Sequence, residues 1–350
     1  MAIKLITGNL INDVKDAVIA QIKPFVQDFS CENIIVVPDR FSLIVEKSVF
    51  DVLNISSTFN ISVMGINALA RKLIEKANLN CVFVDQTESD FVLYHAIQNV
   101  KDKFVCFSKT LNNGLFEKIK DALALMRSSK IDFEVLQDVT VDDEELNQKL
   151  CDLKIVLGEY EKLLGFRLDA TNLIKTFSSL IDNTSQYQNT NFYFCGFDSF
   201  TAQGYEIVKK ICTVAKNVCI GVIRASKFKN KALYDTEMMD TILDFLKEKK
   251  LEYEVIDIEC KFDDDREYIF ENVFGYDIKS KGISTPLIAL PTMYDEVDNV
   301  AKQIAYLIKH GEKYSNILVA SKESYFPLIE NVFTKFDISF YIDNSIAIDQ

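Results

Sequence analysis

Short β-prone segments alternate with amphipathic ones through the first 77 residues, and this alternation constrains the fold more than any other feature of the chain. The apolar β-prone runs are residues 3–7, 34–38 and 61–64. Apolar side chains recur at helical spacing in residues 11–25, 43–53 and 67–77. Such a repeat is typical of an open, mostly parallel sheet. The 11 glycines and 5 prolines among 350 residues disfavour a turn-rich sandwich or propeller. The predicted fold class is therefore α/β.

The alternation of strands and helices is interrupted between about residues 86 and 187, where the pattern predicts consecutive helices without a convincing strand. These helices are expected at about 88–100, 111–127, 142–164 and 169–183. Strands are then predicted again at 191–197, 217–223 and 252–258. We therefore predict a first α/β domain made of residues 1–86 and 188–282, interrupted by an inserted helical subdomain at 87–187.

A second strand–helix pattern occupies residues 283–350. The predicted strands are 286–290, 317–320 and 338–342, with helices between them. The pattern stops at Gln350 without a closing helix. We therefore expect the beginning of a second, incomplete α/β domain.

The net charge and the cysteine content limit which partners, metal sites and cellular locations are expected for this chain. The net charge of −13 makes the whole molecule repel nucleic acid and anionic membranes. No apolar run approaches the roughly 18–20 residues that cross a bilayer, and the N-terminus lacks a signal-peptide pattern. The 8 cysteines include no C-x-x-C pair, and only 2 histidines are present, so no metal site is predicted. A soluble cytoplasmic protein without membrane contact is expected.

The first strand–turn–helix is where a phosphate-binding loop of the form G-x-x-x-x-G-K-[ST] would lie. Gly8 supplies the first glycine, but Asp13, Val14 and Lys15 occupy the positions of the second glycine, the lysine and the hydroxyl. An aspartate repels a triphosphate, and valine offers no cation. Asp198, which follows the strand at 191–197, is a single carboxylate and makes a poor Mg²⁺ site. The sequence thus predicts a degenerate nucleotide loop, no bound ATP or Mg²⁺ and no catalytic residue.

Six segments resemble, in order, the B subunit of AddAB-type (RexAB-type) bacterial helicase–nucleases. They are VPDRFSLIVEKSVF (37–50), ISVMGINALARKLI (61–74), LNQKLCDLKIVLGEYEKLL (146–164), FYFCGFDSFTAQGYEIVKKI (192–211), YDEVDNVAKQIAYLIKHGEKYSNILVA (294–320) and DISFYID (337–343). The last two are similar to the opening of the second motor-like domain in superfamily-one helicases. The segments occur in family order and are spread over nearly the whole chain, from residue 37 to residue 343.

The resemblance implies a P-loop-NTPase fold of the superfamily-one helicase type. It also implies a role in processing double-strand breaks for recombinational repair, beside a helicase–nuclease A subunit. In that family the B subunit carries a C-terminal nuclease with an iron–sulfur cluster, and no cluster cysteines or nuclease motif map onto this chain. The helicase-like region is expected to scaffold the complex and to scan single-stranded DNA.

The nucleic-acid-binding candidates follow from residue type and position. In superfamily-one folds the loops after the second and third strands face the single strand, which points to Arg40 and Phe41 for phosphate contact and base stacking. Arg71 and Lys72 lie on the helix behind these loops. Arg224 and Lys227 begin a basic run that continues with Lys229 and Lys231, although a solvated loop is the more common explanation of such a run.

Three functions remain open at this point. The chain is a catalytically silent helicase-like part that binds single-stranded DNA weakly on its own, an active NTPase or helicase with a divergent loop, or a protein scaffold without nucleic-acid contact. Nucleotide titration separates the second from the others, and salt-dependent oligonucleotide binding separates the first from the third.

Overall fold

The computed structural model describes residues 2–8, 13–79, 81–131, 133–139, 141–182, 185–223, 237–258 and 286–342. The chain divides into two compact units, residues 1–281 and 282–350. Among the described helices, none is both long and apolar enough to cross a membrane.

A six-stranded parallel sheet forms the centre of the first unit. Its strands are β1 (Ala2–Gly8), β2 (Glu32–Val36), β3 (Ile61–Met64), β6 (Thr190–Phe194), β7 (Asn217–Ile223) and β8 (Tyr253–Asp257). Their spatial order is β3-β2-β6-β7-β1-β8, and every neighbouring pair runs parallel. The α/β class and the parallel sheet predicted from the strand–helix alternation are confirmed. Burial on both faces explains why the central strands β2, β6 and β7 are nearly continuous apolar runs, whereas the edge strand β8 is largely exposed.

Helices cover both faces of this sheet. On one face α1 (Val14–Ala20) and α2 (Ser42–Leu53) pack with Ile6 in a shared core. The opposite face carries the helices α3 (Ile66–Lys76), α8 (Ala170–Ile181), α9 (Ala202–Val214) and α10 (Glu237–Glu248). Leu5 points into that second core, because successive strand side chains alternate between faces.

Three asparagines fix the register of the central strands where these strands begin. Asn33, Asn191 and Asn217 lie opposite one another on β2, β6 and β7. The Asn191 amide donates to Asn33 Oδ1 at 2.9 Å, and the Asn217 amide donates to Asn191 Oδ1 at 2.9 Å. Asn33 and Asn191 are fully buried. A one-residue slip would break this ladder, so it adds register specificity that apolar side chains alone do not supply.

A separate helical core occupies much of the region between α3 and α8. Its helices are α4 (Gln86–Val100), α5 (Asn113–Ser128), α6 (Phe133–Asp138) and α7 (Glu144–Leu164). Buried residues from Val84 to Leu164 form its interior. By contrast, Leu173, Phe177 and Ile181 of α8 join the core of the sheet. The extent of an inserted subdomain stays a prediction, and α8 packs with the sheet rather than with the other three predicted helices.

The expectation that no strand lies between residues 86 and 187 is wrong in one detail. β4 (Val82–Phe83) pairs in parallel with β5 (Arg167–Leu168), which lies within that range. Two-residue strands leave no periodic signature, so the sequence pattern could not indicate them.

The second unit is built around α11 (Met293–Lys309) and α12 (Phe326–Lys335). Buried residues of both helices, among them Ala301 and Val332, pack together with Ile338. Within residues 286–342, the three predicted strands do not pair with one another, although Ile317 has extended backbone angles. The side chain of Leu318 is 92% exposed. Apolar alternation indicated extended chain here, whereas strand formation also requires a neighbouring strand.

Candidate nucleic-acid interface

Three neighbouring strands, β3, β2 and β6, end at the same side of the sheet. We call the segments that follow them, residues 37–42, 64–67 and 195–201, the carboxyl edge. Pairing continues briefly beyond the strands, because Val37 N–H donates to Met64 O at 3.1 Å and Cys195 N–H donates to Val36 O at 3.2 Å. In open α/β sheets the carboxyl ends of the strands are where ligands bind.

Asp39 holds two of these loops together. Its Oδ2 accepts a hydrogen bond from the Asn67 amide at 3.2 Å, so the loop after β2 is tied to the first turn of α3. A Cβ at position 65 would lie 1.5 Å from Asp39 Oδ1, so any other residue there would displace the Asp39 carboxylate from Asn67. Gly65 therefore permits the close approach of the two loops. The sequence places Asp39 and Asn67 in the two loops expected to face the single strand, but their hydrogen bond was not predicted. Gly65 between an apolar strand and a helix is a signal for such an approach.

Arg40 and Phe41 project from a tight turn between β2 and α2. Residues 39–41 form a single 3₁₀ turn after Pro38, and Phe41 N–H donates to Pro38 O at 2.8 Å. Arg40 is exposed, and in the described ranges no carboxylate lies within ion-pair distance of its guanidinium. Phe41 is 47% exposed. An unpaired cation beside an exposed ring is the combination that contacts phosphate and stacks a base.

The apolar surface continues from Phe41 onto the first turn of α2. Leu43 is 63% exposed and Ile44 is 55% exposed. These aliphatic side chains offer no stacking plane, so they suit a protein or nucleotide contact that excludes water. Arg40 and the exposed ring of Phe41 therefore lie beside an aliphatic border on α2, while Phe197 is half-buried and Phe200 is buried. Two exposed carboxylates, Asp39 and Asp198, belong to the same edge.

The other predicted DNA contacts are not brought to this edge. Lys72 forms an ion pair with Glu32 at the beginning of β2, on the opposite side of the sheet. The Arg71 guanidinium lies 5.0 Å from the centroid of the Phe83 ring and packs over it. Both cations therefore have partners away from Arg40. Arg224 and Lys227, with the rest of their basic run, lie outside the described residues.

The residues at the end of β1 do not fit a nucleoside triphosphate. Gly8 ends the strand, but Lys15 Nζ donates to Ser48 Oγ at 2.8 Å and lies 3.1 Å from Asp16 Oδ1. This cation is therefore engaged by Ser48 of α2 and by its neighbour Asp16. Asp13 caps the seven-residue α1 by accepting from Asp16 N–H at 3.1 Å, which places a carboxylate where a phosphate would bind.

A further carboxylate at the end of β1 reinforces this conclusion. The Thr7 hydroxyl donates to Asp257, another carboxylate beside the end of β1. Among the described residues, no three His, Cys, Asp or Glu side chains are grouped to hold a metal ion.

Comparison with known proteins gives a consistent set of relatives. A family model described as "ADDB, N-terminal" matches residues 5–268. The chain is 24% identical over 345 residues to the B subunit of the ATP-dependent helicase/deoxyribonuclease of Clostridium novyi (strain NT), covering 92% of this chain and 30% of that protein. It is 23% identical over 338 residues to the B subunit of the same enzyme from Thermoanaerobacter sp. (strain X514), covering 90% and 29%. The chain thus spans about 30% of the length of these curated relatives.

Proposed function

The chain belongs to the ADDB N-terminal family, and on that premise we propose that it is the helicase-like part of the B subunit of a helicase–deoxyribonuclease. In this role it binds single-stranded DNA at its carboxyl edge and does not hydrolyse ATP. The proposed setting is the repair of DNA breaks by recombination in the cytoplasm. The proposed protein partner is the A subunit of the same enzyme, which the relatives' designation as B subunits supports.

The observation that carries this proposal is the geometry of the loop after β2. Asp39, Gly65 and Asn67 fix the loop, so that Arg40 and Phe41 are presented together and remain exposed. Base stacking on one aromatic ring contributes about 1–3 kcal/mol, and one phosphate contact adds a salt-sensitive term. With a net charge of −13 the isolated chain should bind a single strand only weakly, at about micromolar Kd or above.

We expect the double variant Arg40→Ala/Phe41→Ala to bind a labelled single-stranded oligonucleotide at least about tenfold more weakly than the original chain. The plot of log K against log salt should become shallower by about 0.7, because one phosphate contact to a single strand is lost. Fluorescence anisotropy at several low salt concentrations measures both quantities.

A matched control removes one cation and one exposed ring from the opposite side of the sheet. In Lys76→Ala/Phe59→Ala the change in net charge is the same, and Phe59 is 91% exposed just before β3 begins. This variant should bind as the original chain does. Equal weakening by the two variants would contradict the proposed location.

The alternative of an active NTPase is tested by calorimetry with ATP and Mg²⁺. We expect no binding heat and no hydrolysis, because Lys15 is engaged by Ser48 and Asp16 while Asp13 occupies the helix start. A saturable Mg²⁺-dependent signal that Lys15→Ala abolishes would favour the NTPase instead. A silent chain that also fails to bind single strands would favour the pure scaffold.

A further inference from the structure

A second charged surface lies on α9 and the segments beside it, starting at Ala202 next to residues 195–201 of the carboxyl edge. A groove of about 360 Å³ is lined by lysines from three separate segments of the first unit. Lys130 follows α5, Lys209 and Lys210 lie on α9, and Lys249 follows α10. We call these four residues and the depression between them the lysine groove.

The carboxylates of the groove neutralise only part of its charge. Lys210 Nζ lies 2.6 Å from Asp182 Oδ2 and 3.4 Å from Glu206 Oε1, and Lys130 also pairs with Glu206. Although burial alone would raise it, hydrogen bonds from Lys130 and Ser178 lower the pKa of Glu206 to about 2. Glu206 is therefore ionised at neutral pH. Four ammonium groups thus face two carboxylates, and both carboxylates are held by Lys130 and Lys210.

Lys209 supplies the charge in excess, while Lys249 has the adjacent Glu248 at the limit of ion-pair distance. Lys209 Nζ lies 5.6 Å from the centroid of the Phe245 ring, which leaves its charge uncancelled by a carboxylate of the groove. The Lys249 side chain is 55% exposed, and its ion-pair distance to the adjacent Glu248 is 3.9 Å. A local positive excess is unexpected on a chain whose net charge is −13. Charge complementarity therefore favours a polyanionic ligand at this groove.

The chemistry of the groove favours a duplex over a single strand. Single-strand binders combine cations with exposed aromatic planes, but Phe245 is half-buried beneath Lys209, and Tyr205 packs edge-on against Phe200 at 5.5 Å. Neither ring of the groove is open to an unstacked base. Lysines without stacking planes instead contact phosphates irrespective of sequence.

We infer that the lysine groove binds the phosphate backbone of duplex DNA, separately from the single-strand contact at the carboxyl edge. The inference rests on the proposed role of the chain in DNA processing. It assigns to one chain two contacts of different kinds, with Lys209 and Lys249 as the principal phosphate contacts of the duplex.

The test compares Lys209→Gln/Lys249→Gln with the control Lys118→Gln/Lys309→Gln, in which two exposed lysines outside the groove lose the same charge. The probes are a labelled 20-base-pair duplex, a length of about two helical turns, and one of its strands, titrated from about 20 mM salt upwards. We expect the groove variant to lose about tenfold or more in duplex affinity, with a salt slope shallower by about 2. Its single-strand binding and both affinities of the control should be unchanged.

Several outcomes would overturn the inference. These are absence of duplex binding at the lowest salt, an unchanged duplex affinity of the groove variant, or an equal loss in the control. Binding of polyglutamate that requires Lys209 and Lys249, while duplex affinity is unaffected, would instead identify an acidic protein surface as the ligand. If single-strand binding survives Arg40→Ala/Phe41→Ala but duplex binding needs the groove, the proposed function fails and the groove assignment stands.

Discussion

Replacing Arg127 with methionine should lower the free energy of unfolding by about 3–5 kcal/mol, because it leaves a buried carboxylate without its cation. Arg127 of α5 donates to Asp169 through Nη1 at 2.6 Å and Nη2 at 3.1 Å. Asp169 also accepts from the Tyr160 hydroxyl at 2.6 Å and caps α8. This buried cluster links the helical core to a helix of the sheet core. Urea unfolding followed by circular dichroism measures the loss, since the chain contains no tryptophan.

The loss of stability caused by Arg127→Met should decrease as the pH falls. Burial alone would raise the pKa of Asp169, but the hydrogen bonds and charge of Arg127 hold it below its usual value. Its stabilising contribution is therefore complete above the unfolded pKa, and it is lost as the pH falls toward the lower folded pKa. In Arg127→Met, burial raises the pKa of Asp169. A fall in pH therefore neutralises this unpaired carboxylate and reduces the destabilisation of the variant.

The stability difference between Arg127→Met and the original chain should therefore be largest near neutral pH and shrink toward about pH 4. Lys118→Met, at an exposed position of the same helix, should change the stability by less than about 0.5 kcal/mol. A loss of under about 1 kcal/mol at neutral pH, or a difference that grows in acid, would contradict this role of the ion pair.

Replacing Asp152 with alanine should cost about 2–4 kcal/mol of unfolding free energy. Its fully buried carboxylate on α7 accepts backbone N–H groups of Val105 at 2.9 Å, Cys106 at 2.8 Å and Phe107 at 2.8 Å. These three donors lose their partner in the variant. The same unfolding measurement applies.

Asp152→Asn provides a graded comparison. Its single amide oxygen can still accept from Cys106 and Phe107, whereas its NH₂ group would face the N–H of Val105. The asparagine variant should therefore lie between the alanine variant and the original chain. Asp121→Ala, at an exposed position of α5, should be nearly neutral. Equal stabilities of the alanine and asparagine variants would show that these hydrogen bonds do not hold the segment of residues 105–107 in place.

Local periodicity was sufficient for much of the fold. The strand–helix alternation over residues 3–77 predicted β1, β2 and β3 with their helices, and the run at 191–197 predicted β6, all in a parallel sheet. The resemblance to helicase–nuclease B subunits is confirmed by the family match over residues 5–268. In contrast, the segments 317–320 and 338–342 have the pattern of strands but do not pair, because pairing depends on neighbours that a local pattern does not contain.

The candidate sites were less accessible from sequence for a related reason. Arg40 and Phe41 were proposed from their position after β2. Lys72 was also proposed from its position, but the direction of α3 places it beside Glu32, at the end of the sheet where β2 begins. Asp152 did leave a signal, since a carboxylate on the apolar stripe of α7 with Val156 and Tyr160 implies a buried partner. The lysine groove left none, because its lysines come from three separate segments that meet only in the folded chain.

Photo-crosslinking tests the central proposal, single-strand binding at the carboxyl edge, most directly. A single-stranded oligonucleotide carrying 5-bromodeoxyuridine is irradiated with the chain at low salt, and tryptic peptides are mapped by mass spectrometry. Trypsin cleaves after Arg40 and Lys47, so Phe41 lies in the peptide of residues 41–47. We predict that this peptide carries the main adduct and that the adduct disappears in Phe41→Ala, which keeps the cleavage site after Arg40. Adducts confined to residues 286–342 or to peptides of the lysine groove, with 41–47 unmodified, would contradict the proposal.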